Sequence, residues 1–154
     1  MTTKMRTLRD LSLVEASVPK TATFDEAAAL LRSESVSTVA VVDEHGTVVG
    51  LFGESDLLRG LFPGYLGELH HTAFTEDDRA LLDRRADEVR GEAIAKHMHK
   101  PVTIDADASA LHIAERFLHS DFGALPVIES GKFVGMLGRA DFCRAVLRRF
   151  GSSE

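Results

Sequence analysis

The chain has 154 residues, 44% of them apolar and 27% charged, a balance that suits one globular domain or two small halves sharing a core. Its net charge of −6, with no basic run, leaves out the phosphate-neutralising surface of a nucleic-acid binder. A single cysteine, Cys143, excludes an internal disulfide, and no stretch approaches the ~18 apolar residues of a membrane span.

The opening MTTKMRTLRDLSLVEA is too polar for a signal peptide, so a soluble protein of the reducing cytoplasm is expected. Leu11 to Val14 and Val18 read as a short extended lead-in, with Pro19 holding the residue before it out of helix geometry. Thr23-Phe24-Asp25-Glu26 has the form of a capping box. Phe24, Ala27, Ala28 and Leu31 then share one face of a helix over 24–33. Thr38 to Val42 is a β-branched run of the kind buried on both faces. Asp43-Glu44-His45-Gly46 makes a turn, Thr47 to Phe52 pairs back, and a helix runs from about Ser55 to the stop at Pro63-Gly64.

Residues 63–93 read as an insertion rather than a domain. Thr75 caps a helix over 78–90 whose few apolar residues, Leu81, Leu82, Ala86 and Val89, give it one narrow buried stripe. Val102-Thr103-Ile104 then opens a second strand–helix–strand–strand–helix series. Asp107 or Ser109 caps its first helix, and Ala110, Ile113, Ala114 and Phe117 line the buried face. Ala124 to Ile128, a turn at Glu129-Ser130-Gly131, Lys132 to Leu137 and a helix over 141–150 complete it.

The second series copies the first. Val48-Val49-Gly50-Leu51-Phe52-Gly53-Glu54-Ser55-Asp56 matches Phe133-Val134-Gly135-Met136-Leu137-Gly138-Arg139-Ala140-Asp141. Glycines fall at 50 and 135 and at 53 and 138, and acids at 56 and 141. The one-residue difference in spacing sits in the hairpin turn, where a structural repeat tolerates it.

Two such units, each ending in glycine, two hydrophobic residues, three others and an aspartate, resemble a tandem pair of cystathionine-β-synthase-type (CBS) domains, a Bateman module. The resemblance covers roughly residues 8–62 and 94–150, including the lead-in Met98-His99-Lys100-Pro101-Val102 and the strand Leu125-Pro126-Val127. It implies a mixed α/β fold with two β-α-β-β-α repeats packed about a pseudo-twofold axis, with two clefts between them. It also implies an adenosine-containing regulatory ligand (AMP, ADP, ATP or S-adenosylmethionine), a homodimer formed through helices, and output through an unknown protein effector.

On that resemblance Asp56 and Asp141 take the ribose hydroxyls. Gly53 and Gly138 stand where the family carries a serine or threonine, so both clefts lack that hydroxyl. Arg139 supplies charge for a phosphate in the second cleft, while Glu54 at the matching place repels one in the first. The cleft around Asp141 is therefore the favoured one. Thr21, Thr38 and Ala124 border the clefts. The physics agrees, because a carboxylate accepts two hydrogen bonds from a cis-diol and a helix N-terminus favours an anion nearby.

Blander roles stand beside these. Both aspartates also serve as helix-capping acids, and Arg139 reads equally as a solvated surface residue. His70-His71, and His97 and His99, which share a face if that stretch is extended, raise a third reading as a zinc-binding protein. Without a cysteine pair or HExxH spacing they read as polar loop residues. Cys143 reads as a buried packing thiol in line with Val146. No P-loop, GxSxG elbow or HExxH motif occurs, so a regulatory module rather than an enzyme is expected. The competing reading is a ligand-free interaction scaffold whose clefts have degenerated.

Overall fold

The computed structural model describes residues 11–33, 36–62 and 76–151. In chain order these form β1 (Ser17–Pro19), α1 (Phe24–Ser33), β2 (Thr38–Val42), β3 (Val48–Gly53), α2 (Glu54–Leu61) and α3 (Glu76–Val89). Then follow β4 (Ile104–Asp105), α4 (Ala110–Leu118), β5 (Ala124–Glu129), β6 (Lys132–Gly138) and α5 (Arg139–Gly151). The proposed stop at Pro63-Gly64, the His70-His71 pair and the Thr75 cap lie outside the described residues.

Each repeat builds a three-stranded sheet in which the first strand runs parallel to the second and the third returns antiparallel. The first hairpin turns at Gly46 (φ 80°); the second, one residue shorter, turns through Ser130 (φ 53°) and Gly131 (φ 79°). Left-handed backbone is what such tight turns demand. Both hairpins shift register at equivalent points, between Val41 and Val42 and between Val127 and Ile128. Helix starts are capped as the residue types require. The Glu26 amide donates to Thr23 Oγ1 (3.3 Å) and the His112 amide to Ser109 Oγ (3.2 Å), so Ser109 rather than Asp107 caps α4.

The alternation along β2 explains its unbroken apolar run. Ala40 joins a core shared by both repeats, with Ala16, Leu51, Ile104, Ile113, Leu125, Val127, Met136 and Leu137. Val39 and Val41 face the other way, into a core with Phe24, Ala27, Phe52, Val89 and Ile94. Both faces are covered from Val39 to Val41, which accounts for the apolar run that follows Thr38.

Each lead-in crosses to the opposite repeat. Val14 forms a bridge with Met136 of β6, and His99 forms the matching one with Leu51 of β3. The glycines of the repeated motif lie under these crossings. A Cβ on Gly50 would strike Met98 and approach the His99 carbonyl to 3.1 Å, and one on Gly135 would come within 2.6 Å of Leu13 Cβ. The insertion helix α3 docks on the first repeat through fully buried Val89 and through Arg85 Nε, which donates to the Gly60 carbonyl (2.8 Å).

Two readings need correction. The last helix starts at Arg139 rather than 141, because the Arg139 amide bonds the Gly123 carbonyl (2.8 Å) and turns the chain at the end of β6. Cys143 is exposed, not buried. Phe142 and Val146, four residues apart, form the inward stripe, and Cys143 lies about 100° around the helix from Phe142.

His97 closes the short 3-10 turn Ile94–Lys96, with its ring edge-on to Phe24 at 4.9 Å. Its Nε2 is buried without a hydrogen-bond partner among the described residues, and Glu92 is 3.8 Å away, too far for one. Burial pushes the His97 pKa down; Glu92 and Asp56 oppose this, while Arg85 and Lys96 reinforce it. The folded chain therefore resists a proton that the unfolded chain takes up below about pH 6.5. Stability from neutral His97 is present above that value and is lost as pH falls toward the folded pKa. The drop in Tm between about pH 7.5 and 5.5 should be smaller for His97→Gln than for the unaltered chain, as thermal melts would measure.

Candidate ligand site

The two aspartates occupy the same place in each repeat, in the first turn of the helix that leaves the third strand. Beside them the strands pair Thr38 with Gly53 and Ala124 with Gly138. Each aspartate also meets an arginine one turn on: Arg59 Nη1 donates to Asp56 Oδ1 and Arg144 Nη1 to Asp141 Oδ1, both at 3.1 Å. The structure thus brings Asp56, Gly53 and Thr38 together in one cleft and Asp141, Gly138, Ala124 and Arg139 in the other. Thr21 lies exposed in the turn after β1.

There the likeness ends. Asp56 is buried, and its Oδ2 accepts from the Gly53 amide (2.9 Å). His99, from the lead-in of the second repeat, sets Nδ1 directly against Asp56 Oδ1. Phe122 lies over Gly53, its ring 3.1 Å from where a Cβ there would stand, and meets the His99 ring edge-on at 5.8 Å. Nearby, the Thr38 hydroxyl is fully buried with no partner among the described residues.

In the second cleft Val14 makes the bridge that His99 makes in the first, and Val36 precedes β2 where Phe122 precedes β5. Neither can pair with a carboxylate. The Asp141 side chain is 48% exposed, and among the described residues its Oδ2 has no hydrogen-bond partner. Among the described residues a Cβ on Gly138 would meet only Asp141 within 4 Å. Arg139 packs its guanidinium over Phe117 (5.9 Å) and donates Nη2 to the Phe122 carbonyl (2.7 Å) at the rim.

The sequence reading missed His99 and Phe122. The available signal was the mismatch between repeats: two valines on one side face a histidine and a phenylalanine on the other. The histidines do not gather either, since His97 turns to Phe24 and His99 to Asp56.

The pattern of the CBS domain family matches residues 7–62 and 92–148. The chain belongs to the CBS domain family. A curated relative, the chloroplastic CBS domain-containing protein CBSX1 of Arabidopsis thaliana, is 28% identical over 138 residues, 85% of this chain. The chain spans only 58% of that relative's length. Among solved structures, the CBS domain of a CBS domain-containing membrane protein from Sphaerobacter thermophilus is 26% identical, with a TM-score of 0.66 over 92% of this chain and 86% of that one. The CBS-pair protein CBSX2 of Arabidopsis thaliana shares the fold at a TM-score of 0.71 and 22% identity, covering 94% and 96% of the two chains. CBSX2 has also been solved in complex with AMP, at a TM-score of 0.64 and 23% identity over 89% of this CBS pair and 90% of that chain. Among the described residues no helix is long and apolar enough to cross a membrane.

Proposed function

We propose that this CBS pair is a regulatory module that binds one adenosine-type ligand in the cleft around Asp141. The observation that carries the reading is the open carboxylate of Asp141 beside an uncovered Gly138, set against the occupied carboxylate of Asp56. A carboxylate offers about four acceptor positions. Arg144 uses one at Asp141, which leaves room for both hydroxyls of a ribose cis-diol. The bare Gly138 backbone lets a phosphate approach the start of α5, and Arg139 and Arg144 supply the positive charge that Glu54 denies the first cleft. The AMP complex of CBSX2 is consistent with this class of ligand.

The ligand would lie where the two repeats meet, so binding biases their arrangement and any surface that depends on it. Leu58 on α2, Phe62 just after it and Leu147 on α5 are 54%, 49% and 66% exposed. We assign this helical face to a homodimer, through which, or through a protein effector, the signal passes.

Calorimetric titration of AMP, ADP, ATP and S-adenosylmethionine into protein freed of co-purified nucleotide tests the reading. At least one should bind, and at about 100 times its Kd should add roughly 2.7 kcal/mol of stability. Silence from all four in folded protein would leave the ligand-free scaffold.

A further inference from the structure

We infer that the first cleft is a second adenosine-type site kept shut by the chain's own His99 and Phe122, so that each chain takes one ligand where its fold provides for two. The inference rests on the ligand class proposed for the Asp141 cleft. Its grounds are the differences between two clefts that share a frame.

Acceptor arithmetic comes first. Of the roughly four acceptor positions on a carboxylate, Asp56 has three engaged, by the Gly53 amide, Arg59 and His99. A cis-diol donates two hydrogen bonds and finds one place. Without His99 it would find two. Access gives the same answer: the Asp56 side chain is 2% exposed against 48% for Asp141. The His99 ring stands against the carboxylate and the Phe122 ring over Gly53 beside it, where the other repeat has Val14 and Val36.

The third observation points to a ligand rather than to a finished core. Thr38 holds a fully buried hydroxyl with no partner among the described residues, 3.5 Å from where a Cβ on Gly53 would stand. Buried hydroxyls are satisfied in nearly all folded proteins, because stranding one is costly. The matching residue of the open cleft, Ala124, carries no such group. A polar group entering under Phe122 would reach the Thr38 hydroxyl and the Asp56 carboxylate together. His99 therefore holds the carboxylate as a ribose hydroxyl would, and Phe122 fills the space above Gly53.

The test exchanges the closing residues for those of the open cleft. AMP, ADP, ATP and S-adenosylmethionine are each titrated calorimetrically into the unaltered chain, His99→Val/Phe122→Val and the same pair with Asp141→Ala, all freed of nucleotide and checked by thermal melting. The expected stoichiometries are one, two and one per chain, with Asp56→Ala removing the last. A stoichiometry of one in the folded double variant, or of two in the unaltered chain, overturns the inference. Should Phe122→Val fail to fold, His99→Val alone, which frees the carboxylate and leaves the Phe122 ring in place, is expected to add a second site weaker by no more than about tenfold. Silence of the unaltered chain with binding by the double variant would overturn the Asp141 reading and keep the closed site. Silence of both would overturn the two together.

Discussion

Replacing Gly135 by valine should destabilise the fold by about 3 kcal/mol, the upper end of the usual cost of overpacking a filled core. The new Cβ would fall 2.6 Å from Leu13 Cβ, an atom fixed to the backbone and unable to swing aside. That backbone is held in turn. The Val14 amide donates to the Met136 carbonyl (3.0 Å) and the Met136 amide to the Val14 carbonyl (2.7 Å). Relief of the clash means lifting the lead-in off β6 and opening the shared core. Gly50→Val should cost somewhat less, about 2 kcal/mol, because its closest neighbour is the flexible Met98 side chain. The His99 carbonyl, tied to the Leu51 amide at 3.0 Å, still blocks free adjustment. Gly91→Ala is the control, since a Cβ there meets nothing within 4 Å and should change stability by under about 0.5 kcal/mol. Urea unfolding of the three variants would measure these differences, and an unchanged midpoint for Gly135→Val would refute the crossing as the reason for the glycine.

Those glycines illustrate what could be read from the chain and what could not. Gly50 and Gly135 stood out at once, because they recur at matching places on apolar strands. Their reason did not, since each is covered by residues of the other half, far away in sequence. Periodicity reports which face of an element is buried and says nothing of what covers it. The repeat, the element order and the buried β2 were legible for that reason. The cleft was legible only in its shared parts. Asp56 and Asp141 look alike in sequence, and the fold repeats their positions and their arginines, though only Asp56 accepts from the glycine amide at its helix start. What separates them is one ring from the second lead-in and one from the loop before β5. Cys143 shows a simpler limit: three residues before Val146 it only nears that face, while Phe142, four residues before, holds the inward stripe.

The separation of the aspartates makes a crossed prediction. Asp141→Ala should weaken nucleotide binding about 100-fold, since two hydrogen bonds to a charged acceptor are worth about 3 kcal/mol at the low end and each 1.4 kcal/mol is a factor of ten. The same variant should melt within a few degrees of the unaltered chain, because the side chain is half exposed and holds only Arg144 among the described residues. Asp56→Ala should do the reverse. It strands the buried Gly53 amide and removes the partner of both Arg59 and His99, at a cost of about 1–3 kcal/mol in stability. Its affinity for the nucleotide should hold within about threefold, a shift of under 1 kcal/mol. Calorimetry and thermal melting on the pair separate the roles cleanly. If both variants lost binding alike, the clefts would be working as one site. If neither lost it, the ligand would not be held by a carboxylate at all. Only the crossed outcome makes one repeated residue a ligand anchor and its twin a structural one.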